Sequence, residues 1–297
     1  MSVRVAFDAR GSAECAAWSD MSRGRYPTAD SNGSHAESTA TTRRSSLGAS
    51  VRRRRLHPQA ADAALPPTVV LLGRFSLIRG GHRLALAPAS QRLLAFVALS
   101  GRAVNRDRAA GVLWPAVPEE RAHTNLRSAL ARLRTSAAGV LRADAVDLAF
   151  AADVRVDLHE VQAYAREVLG TAHDRVPTGL VETAMTAISA FSADLLPGWY
   201  DEWVLLEAEG WHQLRLHALE TLSSLLAREK RYGEAVAAAQ TAVGADPLRE
   251  SAHAALITAH LREGNQTEAL REFERYRRQL HELGLKPTQR LRSLLPC

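Results

Sequence analysis

A repeat with a period of 34 residues runs through residues 216–283 and leaves few folds open to this half of the chain. Arg228-Glu229 recurs as Arg262-Glu263, and Glu234-Ala235 recurs as Glu268-Ala269. Leu222 matches Leu256, Ala239 matches Phe273, and Ala242 matches Tyr276. Asp246-Pro247 ends the first unit, and His281 stands where a second proline would fall. A unit of this length holds two antiparallel helices, with Ala235 and Ala269 placed where the pair crosses closely. Such a unit cannot bury its apolar face alone, and two units are fewer than an array needs. Helices at 157–169 and 178–192, and a long one from near Trp199 to Lys230, are expected to cover the remainder.

This is the tetratricopeptide pattern. Its fold holds no cofactor, and its concave face commonly binds protein, so a purely structural stack and a protein-binding scaffold both remain open. The acidic stretch from Asp194 to Glu209 contains Trp199, Tyr200 and Trp203, and Trp211 follows it. These aromatics are either core or a surface for protein binding or self-association; Trp199, Tyr200 and Trp203 are the interaction candidates.

The first half has another texture. Residues 1–64 lack apolar periodicity and are rich in Ser, Ala, Thr and Arg, the composition of a disordered extension. From Pro67, strands are expected at 68–72, 75–79 and 82–86, with Gly80-Gly81 as a hairpin turn. A helix follows with Ser90 as its N-cap and Gly101 as its stop. A second helix starts near Asn105 and closes at Trp114-Pro115. A third spans about 118–135, and a hairpin at 139–143 and 146–150 comes next. Strands, three helices and a hairpin make a winged helix-turn-helix. The expected fold is therefore mainly α: an α+β winged helix at 65–155, then an all-α tetratricopeptide-like domain at 156–297.

Charge divides in the same way. Residues 61–144 carry 12 Arg against 5 acids, whereas residues 145–210 carry 3 Arg against 12 acids. A basic module followed by an acidic one separates polyanion binding from another task. The third helix holds the stretch RAHTNLRSALARLR. At 100° per residue, Ala122, Leu126, Ala129, Leu130 and Leu133 form the core stripe. Thr124, Arg127, Ser128, Ala131 and Thr135 lie opposite, with Arg121 and Arg132 on one rim and Arg134 on the other. No acid occurs between Arg121 and Arg142. A solubilising helix mixes signs in i,i+4 pairs. An unpaired cationic face with a small centre suits the major groove of double-stranded DNA.

Several chemistries lack their signatures. No GxxxxGK[ST], GxGxxG, HExxH or GxSxG occurs. The two cysteines, Cys15 and Cys297, build no disulfide framework, and no metal site, cofactor or catalytic set is expected. His253 and His260 are seven apart, two turns along one helix, and no acid or cysteine is expected to join them into a site. An apolar leader and an 18-residue apolar run are both missing, so the cytoplasm is the expected compartment.

The run RDRAAGVLWPAVPEERAHTNLRSALARLR resembles the DNA-binding module of the SARP family (streptomyces antibiotic regulatory proteins), an OmpR/PhoB-type winged helix. The stretches LLPGWYDEWVLLEAEGWHQLRLHALETL and DPLRESAHAALITAHLREGNQTEALREFERYRRQLHELGLKPTQRLRSLL resemble the bacterial transcriptional activator domain of that family. The hairpin reads DAVDLAF where the family usually has a Gly-aromatic pair. The resemblance covers about 67–295 and implies an activator, not an enzyme. It implies a side-by-side pair on promoter direct repeats, recruitment of RNA polymerase holoenzyme, and control of secondary-metabolite genes. Carried onto this chain, it makes 119–135 the recognition helix, with Arg121, Thr124, Arg127, Ser128, Arg132 and Arg134 toward DNA. Arg102, Arg106, Arg108 and the wing residue Arg142 then serve the phosphate backbone.

Overall fold

The computed structural model describes residues 66–171 and 178–295. The expected extension at 1–64, with Cys15 and Cys297, lies outside the described residues. The described residues begin with β1 (Thr68–Val70), β2 (Ser76–Arg79) and β3 (His82–Arg83). Arg79 pairs with His82 across Gly80 and Gly81, which both have positive φ, 54° and 76°. A two-residue loop with both centres left-handed matches the twist of the strands and asks for glycine.

Helix α1 (Pro88–Ser100) follows, capped by Ala87 with proline in its first turn. Proline has the backbone angle and the missing N–H that a helix start tolerates. The helix therefore opens ahead of Ser90, which is not the cap. Ser90 is buried, and its hydroxyl donates to the Ala129 carbonyl at 3.4 Å. At the other end Gly101 closes α1 in the left-handed conformation.

Strand β4 (Val104–Asn105) leads into α2 (Arg106–Leu113). Asn105 caps α2, its side-chain oxygen accepting from Asp107 N at 2.8 Å and Arg108 N at 3.2 Å. Next come α3 (Glu119–Ser136), the wing strands β5 (Leu141–Ala143) and β6 (Asp147–Phe150), and β7 (Arg155–Val156). The order in one sheet is β3-β2-β1-β7, with β7 parallel to β1; the other sheet is β4-β6-β5. The expected strands are present but shorter, and β4 and β7, two residues each, carry no readable period.

The rest is helical: α4 (Asp157–Gly170), α5 (Thr178–Glu182), α6 (Ala184–Phe191), α7 (Glu202–Arg228), α8 (Tyr232–Ala245), α9 (Glu250–Glu263), α10 (Gln266–Glu282) and α11 (Gln289–Arg292). The expected helix at 178–192 is two helices broken at Thr183, whose hydroxyl bonds back to the Gly179 carbonyl at 2.9 Å. Helices α7 to α10 pack in succession as the repeat requires. Ala235, Ala269, Leu222 and Leu256 are all buried. An acid does join the buried His253. Glu272, on the neighbouring α10, meets its Nδ1 at 2.8 Å, and Tyr276 stacks on the imidazole at 4.1 Å.

One apolar core runs from the winged helix into the helical array. Asp157, where α4 leaves β7, accepts from the amides of Leu71 at 2.8 Å and Leu72 at 3.1 Å. Burial holds its carboxyl above the ordinary aspartate range, against the pull of these bonds. Gly73 N donates to the Asp194 carbonyl at 2.7 Å, and Leu196 N to the Leu71 carbonyl at 3.0 Å. Trp199 packs on Phe75 at 5.8 Å, and Trp203 meets Phe96 edge-on at 5.3 Å. Arg92 of α1 pairs with Asp201, just ahead of α7, at 2.5 Å.

Candidate nucleic-acid interface

Helix α3 buries Ala122, Leu126, Ala129, Leu130 and Leu133. These five are the stripe that helical projection assigns to the core. Burying that stripe against α1 and α2 leaves the opposite face in solvent. Arg121, Thr124, Arg127, Ser128, Ala131, Arg132, Arg134 and Thr135 are all exposed.

Hydrogen bonds order the centre of this face. The Thr124 hydroxyl donates to the Glu120 carbonyl at 2.9 Å and accepts from Arg127 Nη2 at 2.8 Å. Ser128 Oγ donates to the Thr124 carbonyl at 2.9 Å. Hydroxyls that satisfy themselves on their own helix keep the surface low, so a partner approaches the backbone closely. None of Arg121, Arg127, Arg132 and Arg134 has a carboxylate partner among the described residues. Glu119 and Glu120 stand in the first turn, where they favour the helix dipole. His123 lies 3.7 Å from both Asp107 and Glu119. Of the two first-turn acids, Glu119 is thus the one beside His123.

The wing stands beside the C-terminal end of α3, where Leu130, Leu133 and Arg134 share a cleft with Leu141 and Ala143. Its turn is built on Asp144, whose Oδ1 accepts from the amides of Val146 at 2.8 Å and Asp147 at 2.7 Å. These amides, of Asp147 first and then Val146, hold the Asp144 carboxyl below the ordinary aspartate range, and Arg106 and Arg142 add to the effect. Arg106 donates to the Asp144 carbonyl at 2.7 Å, and its backbone amide donates to the Val146 carbonyl at 2.9 Å. Arg106 is therefore a brace between α2 and the wing, a role that the linear pattern did not show. Arg79 is a second brace, donating to the Ala138 carbonyl at 2.8 Å just past α3.

Arg102, Arg108 and Arg142 are exposed. Arg102 and Arg108 flank a cavity of about 590 Å³ between α1, β4 and α7. Trp199 and Trp203 are half-buried in the junction described above, so most of their surface serves contacts within the chain. Tyr200 is 83% exposed and remains free for a partner.

Residues 156–295 match the family model of the bacterial transcriptional activator domain. A comparison with curated proteins gives no match. Among solved structures the chain is similar to Mycobacterium tuberculosis EmbR in complex with a low affinity phosphopeptide. The identity is 21% and the TM-score 0.58, over 78% of this chain and 66% of that one. The likeness therefore spans about two thirds of that chain and, at this identity, concerns the fold. The chain thus sets a winged helix ahead of a region that matches the bacterial transcriptional activator domain, an arrangement similar in fold to that structure.

Proposed function

We propose that the chain is a sequence-specific DNA-binding activator. In this reading α3 enters the major groove. Arg121, Arg127, Arg132 and Arg134 reach base edges or phosphates around the small Thr124 and Ser128. Arg102, Arg106, Arg108 and Arg142 neutralise backbone phosphates. Two copies sit side by side on promoter direct repeats in the nucleoid, and the helical half presents a surface to RNA polymerase holoenzyme. The regulated genes belong to a secondary-metabolite cluster. The observation that carries the reading is the ring of arginines without carboxylate partners around an ordered, low-relief helix face.

A second reading, a protein-binding scaffold with little DNA preference, draws on Tyr200, 83% exposed, and Leu206, 70% exposed. A genome-wide DNA pull-down with the full chain at physiological salt separates the two. The activator reading expects enrichment of direct repeats about one or two helical turns apart. Binding without a motif that vanishes as salt rises favours the scaffold.

A further inference from the structure

At the far end of the array, α10, the loop at 283–288 and α11 enclose a cleft of about 600 Å³. Phe273, Leu285 and Pro287 supply apolar walls, while Arg278, Lys286 and Arg292 supply cations. Three other arginines of α10, among them Arg277, which also lines this cleft, are neutralised by the residue three positions earlier. Arg271 pairs with Glu268 at 2.5 Å, Arg275 with Glu272 at 2.7 Å, and Arg277 with Glu274 at 2.6 Å. Arg278, Lys286 and Arg292 have no carboxylate partner among the described residues, although Glu282 lines the same cleft. Leu283 and Leu285 beside them are 55% and 57% exposed.

Like charges around one cleft repel, and exposed leucines cost hydration; Glu282 offsets only part of the first cost, and nothing among the described residues offsets the second. Both costs fall when one molecule brings an anion to the cations and an apolar body to the walls. Ligand sites of this volume are mainly apolar with a few convergent polar groups. We propose that this cleft binds an amphipathic anion, a carboxylate or phosphate carried on a medium acyl chain or fused aromatic body. The anion lies among Arg278, Lys286 and Arg292, and the body lies over Phe273, Leu285 and Pro287. Such a ligand ties three segments together. One of them, the 283–288 loop, is already held by the Thr288 amide donating to Glu250 at 3.0 Å, and α11 is anchored by the buried Leu291. The site is separate from the DNA reading and does not depend on it.

The test titrates the full chain with 1-anilinonaphthalene-8-sulfonate, an aromatic sulfonate, followed by its fluorescence. Dodecanoate or dodecyl phosphate should displace it, and which of the two does so more strongly distinguishes a carboxylate from a phosphate ligand. Dodecanol and inorganic phosphate should not. The variant R278Q/K286Q/R292Q, altered only at exposed positions, should weaken probe and acyl anions about tenfold or more, with an unchanged circular dichroism spectrum. Leu285→Ser should weaken them as well. R102Q/R108Q, at the other cavity, should leave probe and acyl-anion binding unchanged. Displacement by inorganic phosphate alone would reduce the cleft to a simple anion site and overturn the proposal. Equal displacement by dodecanol would reveal only an apolar patch, and unaltered probe binding in the triple variant would place the probe elsewhere. Loss of duplex DNA binding by the triple variant with no amphiphile present would assign these cations to DNA instead.

Discussion

Arg127 occupies the middle of the exposed face of α3, with its guanidinium held against Thr124 at 2.8 Å. Arg127→Ala should cost about 1–3 kcal/mol of DNA binding and relax base preference at one position. Gel-shift titration on the enriched site and its single-base variants measures both, and unchanged affinity with unchanged preference would remove Arg127 from base contact. Arg106 differs, because its side chain already spans to the wing. Arg106→Ala should weaken all sequences alike and flatten the salt dependence by about one unit. A sequence-selective loss would contradict a backbone role. A third residue matters for stability. Burial pushes the Glu272 carboxyl up, but the His253 hydrogen bond, Arg275 and the neighbouring histidines outweigh it, so the group ends below its ordinary value. The unfolded chain then takes the proton first. Stability from this group is present above the ordinary glutamate range and is lost as pH falls from there through the lowered folded-state value. Glu272→Ala should destabilise by about 3–5 kcal/mol, because it strands a buried partner, and should flatten the acid side of the stability curve. Urea melts across acid pH check this, and an unaltered slope would point to other carboxylates.

At the scale of elements, the 34-residue repeat has a consequence in the helix ends. Lys230 and Gly264 are equivalent positions, and both lie in the left-handed region, with φ of 62° and 93°. Gly264 closes α9 without strain, whereas Lys230 ends α7 at a cost to its Cβ. Lys230→Gly should therefore stabilise by about 0.5–1 kcal/mol despite the greater freedom of the unfolded chain. A lower Tm for that variant would mean the side chain contributes more than the backbone loses. The legible elements were those with a long period. The stripe on α3 could be read because five apolar residues at helical spacing leave no second solution. The helix at 178–192 reads as continuous because nothing in the apolar pattern marks the interruption at Thr183. Ser90 looked like a cap by residue type, yet Pro88 starts the helix earlier and tertiary packing buries the hydroxyl.

The whole molecule depends on its junction. Trp199 and Trp203 were legible as a cluster with acids around it, and that pattern fits a partner surface as well as a core. The partner turned out largely to be the chain's own winged helix, through Phe75 and Phe96. Because one core crosses the junction, the halves should melt together. Trp203→Ala should destabilise by about 3 kcal/mol and move a single calorimetric transition down by several degrees. Two resolved transitions in the unaltered chain would show the halves to be independent.

The sequence alone determined the helical repeat, the strand-helix-hairpin order, the buried stripe of α3 and the cationic face opposite it. Each follows from local periodicity and charge, which need no knowledge of distant residues. Tertiary structure decided the rest. Strands of two residues exist only when a partner strand satisfies them. The bracing of Arg106 on Asp144, the pairing of His253 with Glu272, and the gathering of Arg278, Lys286 and Arg292 around one cleft join residues from different elements. Contacts of that kind arise from how elements pack, and no spacing along the chain encodes them.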